Sequence, residues 1–453
     1  MKFDVLLSGG EIVFPDEGVR TGSIGVRDGR IAALLAPNEK ATAREVIDCR
    51  GKWVMPGLID PHTHIGFGSN ETDFETESRS AALGGVTGLL TFHRSNDLRQ
   101  STGPWRAKGE SQSLIDFGFH FGVTSRLHVE TLPEVAKTFG VTSVKVYLMY
   151  KGASGVAKGF SEIDDGLLYA ALLQGAKIKG GVVGVHCENV EVIPVFRDPL
   201  KAAGRNDLRV WDEQSPGFLE AENVFRVVYF GEKAECPVNI VHMSSAESLE
   251  IVRRARKPGR APIHVETCSH YLGLNRDSPI SFLGKVNPPL RPQADVDALW
   301  EGIAEGIITT VGSDHVPRKR ETKGPDIWKA SAGFPGIGTL LPVLIDEGVY
   351  KRGLPIERIA ALTSANVAAL YSLPKKGRIA VGMDADFAIV DPDGHVLVDP
   401  ATQESFSDYS PYEGMRFRGR PVRTILRGRT LAVDGKVDPV ARNSPAGRYM
   451  HRG

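Results

Sequence analysis

The chain has 453 residues, 41% of them hydrophobic and 24% charged, which is typical of a soluble globular protein with a large core. Its 55 basic and 55 acidic side chains cancel, so the composition argues against a nucleic-acid or anionic-membrane partner. No apolar run approaches the roughly 18 residues that a membrane helix needs, and the start lacks the apolar core of a signal peptide, so we expect a cytoplasmic protein. The four cysteines are widely spaced, which indicates neither a disulfide framework nor a cysteine-ligated zinc site.

Short strand-like runs separated by turn signals occupy both ends of the chain. The first group covers residues 4–7, 11–14, 23–27, 31–35 and 45–48. A similar texture returns after residue 378. Each end alone has too few strands to bury a stable face. We therefore predict one small β-sandwich domain built from residues 1–52 and 378–440, followed by a polar C-terminal tail, 441–453, that frays or wraps a neighbour.

Between these ends, strand-like runs alternate with helical stretches, a pattern that favours a parallel sheet with crossover helices. Eight such runs are found, at residues 54–60, 88–93, 119–124, 143–147, 181–186, 238–242, 262–267 and 307–312. Eight strand-helix units match a (β/α)8 TIM-type barrel. We therefore predict an α/β protein in which residues 53–377 form the barrel.

Metal-ligating residue types recur where the predicted barrel strands end, which is the functional rim of such barrels. His62 and His64 follow the first strand with a spacing that lets both imidazoles project the same way. An isolated pair of this kind is equally well explained as two half-buried histidines in a turn. The other strand ends supply Lys145, His186, His242 and Asp314. Imidazoles and a carboxylate on one rim suit Zn²⁺, with Mn²⁺, Co²⁺ or Ni²⁺ as alternatives.

These residues resemble the cyclic amidohydrolases of the amidohydrolase superfamily, which include dihydropyrimidinase, hydantoinase, allantoinase and dihydroorotase. The resemblance covers nearly the whole chain and rests on the motifs at residues 56–64, 185–189, 241–245, 266–271, 313–315 and 376–380. It implies a metal-dependent hydrolase that opens a small cyclic amide or imide, giving an N-carbamoyl amino acid or a similar ring-opened product. It also implies a homo-oligomer, either a tetramer or a dimer.

The resemblance further implies two divalent metal ions, most simply Zn²⁺, and a carboxylated lysine. The implied ligands of the first ion are His62, His64 and Asp314, and those of the second are His186 and His242. Lys145 falls where the family places an N6-carboxylysine. An ammonium has donors only and cannot ligate a cation, whereas the oxygens of a carbamate formed with CO2 can bridge two ions. A lone lysine is usually a surface or snorkelling side chain, but the apolar neighbours of Lys145 argue against that role.

In the implied mechanism, a water bridging the two ions becomes a hydroxide nucleophile near neutral pH, and one ion polarises the scissile carbonyl. Asp314 acts as general base and then delivers the proton to the leaving nitrogen. Tyr150 matches the family tyrosine that hydrogen-bonds the developing oxyanion, with simple packing as its alternative role. His270 and His315 could orient a metal ligand from outside the coordination sphere.

Two residues could contact the substrate. Asn287 lies where dihydropyrimidinases commonly have a serine, and it resembles the dihydroorotase form. Arg94 could neutralise an acidic ring substituent, with a peripheral ion pair as the alternative. Residues 333–338 resemble the family loop whose backbone contacts the substrate. The pattern favours a dihydropyrimidinase or hydantoinase, with allantoinase, dihydroorotase and a cyclic imide hydrolase as alternatives.

A non-catalytic assembly protein on the same scaffold is an alternative of a different class, because some relatives keep the fold and lose the metal. Such relatives typically lack several of the ligand histidines. All six ligand positions are filled here, which favours the enzyme.

Overall fold

The computed structural model describes residues 2–15, 17–37 and 39–452, except the side chain of Ser154. Its strands are β1 (Lys2–Phe14), β2 (Gly18–Arg27), β3 (Arg30–Leu35), β4 (Thr42–Asp48), β5 (Trp53–Pro56), β6 (Leu58–Thr63), β7 (Val86–His93), β8 (Asp116–Val123), β9 (Ser143–Tyr147), β10 (Val182–His186), β11 (Val238–Ile240), β12 (Ile263–Cys268), β13 (Thr310–Gly312), β14 (Phe387–Leu397), β15 (Arg416–Leu426), β16 (Arg429–Val433) and β17 (Lys436–Val437). Its α-helices are α1 (Asp73–Leu83), α2 (Leu98–Gln112), α3 (Arg126–Phe139), α4 (Gly152–Val156), α5 (Asp165–Gly175), α6 (Ile193–Ala202), α7 (Leu208–Glu213), α8 (Gly217–Lys233), α9 (Ala246–Ala255), α10 (Ser269–Gly273), α11 (Gln293–Ala304), α12 (Leu340–Leu344), α13 (Ile356–Ala360), α14 (Asn366–Leu370) and α15 (Pro439–Arg442).

Strands β6 to β13 form an eight-stranded parallel barrel in chain order. The first and last strands meet at a parallel bridge between Thr63 and His315, where the His64 N–H donates to the His315 carbonyl over 2.8 Å. The strands are buried on both faces, as expected when helices cover the outside of the barrel. The predicted (β/α)8 fold is therefore confirmed.

Both chain ends contribute to one nine-stranded, mostly antiparallel sheet. Strand β5 lies at its centre, between β1 from the start of the chain and β14 from the end. The two ends bury one shared apolar core that includes Leu7, Ile24, Phe387 and Ile425. The sequence predicts that the barrel begins at residue 53, but β5 pairs with β1 and β14 in this sheet. The chain therefore passes to the barrel at Gly57.

Local side-chain bonds explain where several barrel helices begin and end. Ser125 and Asp164 start α3 and α5 by accepting a backbone N–H three residues along, at 3.4 and 2.6 Å. Helix α3 ends at Gly140, whose φ of 59° lies in the left-handed region that glycine tolerates. Within the described ranges, none of the helices has the length and apolar character needed to cross a membrane.

The C-terminal tail packs against the barrel of its own chain, so the expectation of a fraying or neighbour-wrapping tail is wrong for the described residues. Tyr449 forms a parallel bridge with Phe117 of β8. Arg452 is 1% exposed, and it donates to Ser143 Oγ over 2.9 Å and to the Phe119 carbonyl. The prediction was based on the polar residues of the tail. A polar side chain can nevertheless be buried when acceptors are available, and here oxygen acceptors satisfy donors of the Arg452 guanidinium.

Candidate metal centre and active site

The residues predicted to be functional lie together at the carboxyl ends of the barrel strands. Lys145 lies in β9 and His186 ends β10, while His242 and Asp314 each follow their strand by two residues. A cavity of about 400 Å³ opens at this end of the barrel. Its wall contains His62, His64, Arg94, Lys145, Tyr150, His186, His242, Asn287 and Asp314.

Two of these residues adopt left-handed backbone conformations. The φ angle is 40° at His242 and 48° at Asp314. Such a conformation costs a non-glycine residue about 1–3 kcal/mol and persists where the surroundings hold it, which is often at functional sites. At Asp314 the turn allows the carboxylate to reach the histidines of the first barrel strand.

His62, His64 and Asp314 form a compact cluster. Asp314 Oδ1 lies 3.2 Å from His62 Nε2 and 3.1 Å from His64 Nε2. One ligand atom from each residue lies within 4.8 Å of the others. A single divalent ion could therefore bind all three groups.

The electrostatics of this cluster favour a cation. Burial opposes ionisation of His62, but the carboxylates of Asp314 and Glu266 outweigh it and raise the pKa of His62. Burial also disfavours an ionised Asp314, yet His62 and His64 hold its pKa well below the usual range. Burial lowers the pKa of His64 to about 4, although Asp314 acts against this shift. The Asp314 carboxylate, which favours positive charge on His62, would likewise favour a divalent ion between the two residues.

Two buried carboxylates that the sequence analysis did not assign to the site hold the first histidine. Glu266 Oε1 lies 2.5 Å from His62 Nδ1. Asp60 accepts the His62 N–H and the Ser313 N–H, both over 3.1 Å, and thus ties the strand of His62 to the residue before Asp314. Asp60 directly follows the apolar pair Leu58-Ile59, and Glu266 directly follows Val265. A charged residue next to the buried part of a strand is the sequence signal that could have found them.

His186 and His242 form the second half of the site. Their ring centroids are 4.4 Å apart, and His242 lies 5.2 Å from the ring of His62. Glu188 Oε2 lies 3.3 Å from His186 Nε2, and Ser215 Oγ donates to the other oxygen of Glu188 over 2.7 Å. Burial, followed by the charge of Lys145, lowers the pKa of His242 well below its usual value, which keeps the imidazole neutral as ligation requires.

Lys145 is 1% exposed and lies among these histidines. Its Nζ lies 4.8 Å from the ring centroid of Phe92 and 5.6 Å from that of Tyr147. Burial lowers the pKa of Lys145 to about 8, although Glu266 and Asp314 act in the opposite direction. A larger share of neutral amine is thus present at neutral pH than for an exposed lysine.

The donor set as a whole fits divalent cations. Imidazole nitrogens and a carboxylate are the usual ligands of Zn²⁺. The Nδ1 atoms of His64 and His242 are buried and have no hydrogen-bond partner among the described residues, whereas buried polar atoms normally have one. Lys145 lies in the same cavity wall as these histidines, and it could ligate a cation only if it were converted to an anion.

Tyr150 and Arg94 lie together in the cavity wall. Arg94 Nη1 donates to the Tyr150 hydroxyl over 3.4 Å. The Arg94 guanidinium also lies over the rings of Phe67 and Tyr147, at 4.8 and 5.2 Å from their centroids. Arg94 has no ion pair with a carboxylate among the described residues, so the peripheral ion pair considered from sequence is not formed.

Asn287 lies on the opposite loop. Its Oδ1 accepts the indole N–H of Trp211 over 3.1 Å. The loop predicted to contact the substrate contributes Gly333 to the cavity wall, and the Gly333 N–H donates to the Lys285 carbonyl over 3.0 Å. His315 lies behind the site, and Glu77 Oε2 is 2.8 Å from its Nε2. Its carbonyl accepts the His64 N–H over 2.8 Å, and its own N–H donates to the His62 carbonyl over 3.3 Å.

The chain is similar to known proteins over almost its whole length. Residues 233–431 match the amidohydrolase family. The chain is 35% identical to an allantoinase of Rubrobacter xylanophilus, over 99% of this chain and 97% of that protein. It is 33% identical to an L-hydantoinase of Paenarthrobacter aurescens, over 96% of each protein. The crystal structure of a dihydropyrimidinase from Brevibacillus agri has a TM-score of 0.89 at 30% identity, over 99% of this chain and 98% of that one.

These similarities confirm the family and the enzyme class expected from sequence. Identity above 30% across nearly the entire chain is accompanied by the same barrel and small sheet. The cluster of histidines and Asp314 is present at the rim where such barrels carry out their chemistry. The chain belongs to the cyclic amidohydrolases of the amidohydrolase family.

Proposed function

We propose that this chain hydrolyses the ring of a hydantoin or a dihydropyrimidine and releases an N-carbamoyl amino acid. The observation that carries the proposal is that all six expected ligand residues line the same cavity as Tyr150. The names of the similar proteins, allantoinase, L-hydantoinase and dihydropyrimidinase, support a cyclic ureide as the substrate.

Two divalent ions, most simply Zn²⁺, would occupy the site. His62, His64 and Asp314 would hold one ion, and His186 and His242 would hold the other. When bound, such ions would lower the pKa of a water molecule and polarise the scissile carbonyl. The protein residues would fix the positions of the ions and of the ring.

Lys145 would join the two halves of the site as a carbamate. Its neutral amine would attack CO2, and the new N–C bond would form with loss of one proton. The product is an anion with two oxygens, which suits the gap between the histidine groups. The support is positional, because Lys145 is buried and its charge acts on His62, His186 and His242.

Asp314 would move the proton during ring opening. Its carboxylate stays ionised at neutral pH because His62 and His64 hold its pKa low despite burial, so it can accept a proton from the attacking water. It would then deliver that proton to the ring nitrogen as the C–N bond breaks. Its left-handed backbone and its two imidazole contacts keep the carboxylate in place for both steps.

Tyr150 would stabilise the carbonyl oxygen as it becomes negative. Its ring stacks on Phe160, with centroids 4.8 Å apart and planes 21° apart, so its position is restricted. Because its hydroxyl accepts from Arg94, its own proton can be donated to the substrate. Asn287 would orient the far side of the ring, since its carbonyl oxygen is held by Trp211 and its amide N–H groups can donate to a ring carbonyl.

The proposal is tested by a ring-opening assay on protein loaded with metal and bicarbonate. Hydantoin, dihydrouracil, allantoin, dihydroorotate and succinimide would be compared. We expect a hydantoin or dihydrouracil ring to open. Tyr150→Phe should lower the rate while metal content is kept, and Tyr169→Phe on the outer helix α5 serves as the matched control. Protein that holds two ions per chain and opens none of these rings would refute the proposal.

Allantoin is the second candidate substrate. The 35% identical relative is an allantoinase and is matched over 99% of this chain. Allantoin is itself a substituted hydantoin, so the same residues would act on it. A clear preference for allantoin in the same assay would select this alternative.

We also propose that the chain forms a dimer or tetramer. Helices α6 and α8 expose Val195, Phe218, Phe225 and Tyr229 to 68%, 45%, 61% and 50%. Large exposed apolar side chains grouped on neighbouring helices are typical of an association surface. Sedimentation should show an oligomer that Phe225→Glu weakens, and a stable monomer of the parent protein would refute the idea.

A cytoplasmic location is proposed from the thiols. Cys49, Cys187, Cys236 and Cys268 are buried and unpaired. Free thiols persist in reducing compartments. Fractionation of cells that express the tagged chain would test the location.

A further inference from the structure

Apart from the metal ligands, the cavity wall is strongly cationic. Arg94, Lys158, Lys285 and Arg318 line it. Among the described residues, Asp314 is the one carboxylate in the wall, and it is already held by the first histidine pair. The part of the cavity that would hold the substrate is therefore positive.

These cations have no carboxylate partner within 4 Å in the described part of the chain. Arg318 Nε instead donates to the Ala332 carbonyl over 3.0 Å. Lys285 Nζ donates to the carbonyls of Ile327 and Trp328, over 2.6 and 3.2 Å. Carbonyls fix the positions of these side chains but do not neutralise them. Arg94, Lys285 and Arg318 are partly or fully buried, whereas Lys158 is exposed. Buried or partly buried like charges without counter-ions are costly, so the first three favour an anion bound from outside.

Arg94 is the cation best placed to bind such an anion. Its guanidinium lies over the rings of Phe67 and Tyr147, which fixes its plane. Its hydrogen bond to Tyr150 uses one N–H group, and a guanidinium has five. Phe67 also packs against His64, with ring centroids 5.2 Å apart, so Arg94 and His64 contact the same ring in one cavity wall.

Two of the cations contact Tyr150, and a third lines the same cavity. Arg94 donates to the Tyr150 hydroxyl, and Lys158 Nζ lies 4.8 Å from its ring centroid. Arg318 lies in the wall of the cavity that contains Tyr150. Tyr150 is the residue proposed to contact the reacting carbonyl. The positive zone therefore lies beside the bound ring rather than at a distant surface.

We infer that the preferred substrate is a cyclic ureide that carries a carboxylate on a short substituent, and that Arg94 binds this carboxylate. The planar guanidinium matches a carboxylate through two parallel hydrogen bonds, while Lys158 and Arg318 add to the positive field. A cavity of about 400 Å³ has room for a five- or six-membered ring with such a substituent. The inference rests on the proposed ring-opening function and specifies its substrate class.

The test compares two compounds of nearly equal shape on the metal-loaded enzyme. They are 5-carboxymethylhydantoin and its neutral amide, 5-carbamoylmethylhydantoin, with unsubstituted hydantoin as a third substrate. We expect kcat/KM to favour the acid over the amide by about 10- to 100-fold, the range that hydrogen bonds to a charged group produce. The preference should shrink as salt concentration rises.

Variants of Arg94 test its role in this preference. Arg94→Met keeps an apolar side chain of similar length and should reduce the acid-to-amide ratio to near one. Arg94→Lys should restore only part of the ratio, because an ammonium lacks the planar fork. Arg254→Met is the matched control, since Arg254 is 77% exposed on α9 and pairs with Glu250, and it should leave the ratio unchanged. A purely structural defect would lower both rates together without changing their ratio.

The outcomes separate this inference from the proposed function. If hydantoin, the acid and the amide all remain closed and dihydrouracil, allantoin, dihydroorotate and succinimide do too, the ring-opening proposal itself fails. If only a ring other than the acid opens, the anionic substrate is refuted and the ring-opening proposal stands. If the rings open but the acid and the amide react equally well, the anionic substrate is refuted. If the acid is preferred but Arg94→Met keeps the full preference, the assignment of Arg94 is refuted. A preference for the acid that depends on Arg94 supports the inference.

Discussion

Replacing Glu266 with glutamine tests how the barrel prepares His62, the first of the proposed metal ligands. The Glu266 carboxylate lies 2.5 Å from His62 Nδ1, and both side chains are 1% exposed. A carboxylate in this position fixes the imidazole tautomer and increases its basicity toward a metal. Glutamine has a similar shape and keeps one acceptor oxygen, so the change removes mainly the charge.

The expected loss follows from this contact. A hydrogen bond to a charged group contributes about 1.5–3 kcal/mol, against about 0.5–1.5 kcal/mol for a neutral pair. The difference of about 1–1.5 kcal/mol corresponds to a roughly fivefold to tenfold weaker metal affinity. Glu266→Ala removes the acceptor entirely, so it should weaken binding by about 10- to 100-fold.

Metal affinity would be measured by competition with a chromophoric chelator, using Zn²⁺ and Co²⁺. One of the two binding steps should weaken while the step at His186 and His242 changes little. Glu301→Gln, on the exposed face of α11, is the matched control, and thermal unfolding would verify that each variant folds. Unchanged affinity for both ions in Glu266→Ala would refute the idea that this carboxylate prepares the ligand.

Three further predictions concern other parts of the structure. Lys145→Ala should abolish binding of two ions per chain and ring opening, and full metal content with retained turnover would show that no carbamate is needed. Arg452→Ala should lower the free energy of unfolding, measured with denaturant, by about 2–4 kcal/mol. Arg448→Ala, at an exposed site, is the control, and a similar loss there would show that the buried contacts of Arg452 do not stabilise the fold. Burial lowers the pKa of His93 to about 4, below the unfolded value of about 6.5, so the unfolded chain binds the extra proton and stability falls as the pH drops from about 6.5 to 4. His93→Gln should reduce this acid-induced loss in the free energy of unfolding by up to about 3 kcal/mol. The free energy of unfolding would be measured at pH 7.5 and pH 5 for both proteins, and an equal loss in the parent protein and the variant would contradict the prediction.

The barrel and the cluster of His62, His64 and Asp314 could be predicted because their signals are local. A run of apolar residues indicates a buried strand wherever it occurs, and imidazole nitrogens and carboxylate oxygens, such as those of His62, His186 and Asp314, are residue types that suit a divalent ion. Barrel topology then brings the strand ends to one rim without detailed knowledge of packing. The prediction of a metal site therefore depended on few long-range contacts.

Other features depended on which segments meet in space. From the sequence, a peripheral ion pair was the favoured role for Arg94, because its sequence neighbours do not reveal that Phe67 and Tyr150 lie beside it. The polar C-terminal tail gave no sign that Arg452 would find acceptors in β8 and β9. A buried charge is tolerated only where partners from distant segments surround it, and the sequence does not state those partners.

The sequence alone therefore determined the (β/α)8 class, the order of its strands and the residue types at their carboxyl ends, since each follows from periodicity and side-chain chemistry. The tertiary structure decided how those residues are held: Glu266 against His62, Asp60 across the barrel seam, and Arg94 among aromatic rings. The physical reason is the short range of hydrogen bonds and of contacts with aromatic rings. Such interactions form only after folding has placed distant residues in direct contact, such as Asp60 and Ser313, which are 253 positions apart.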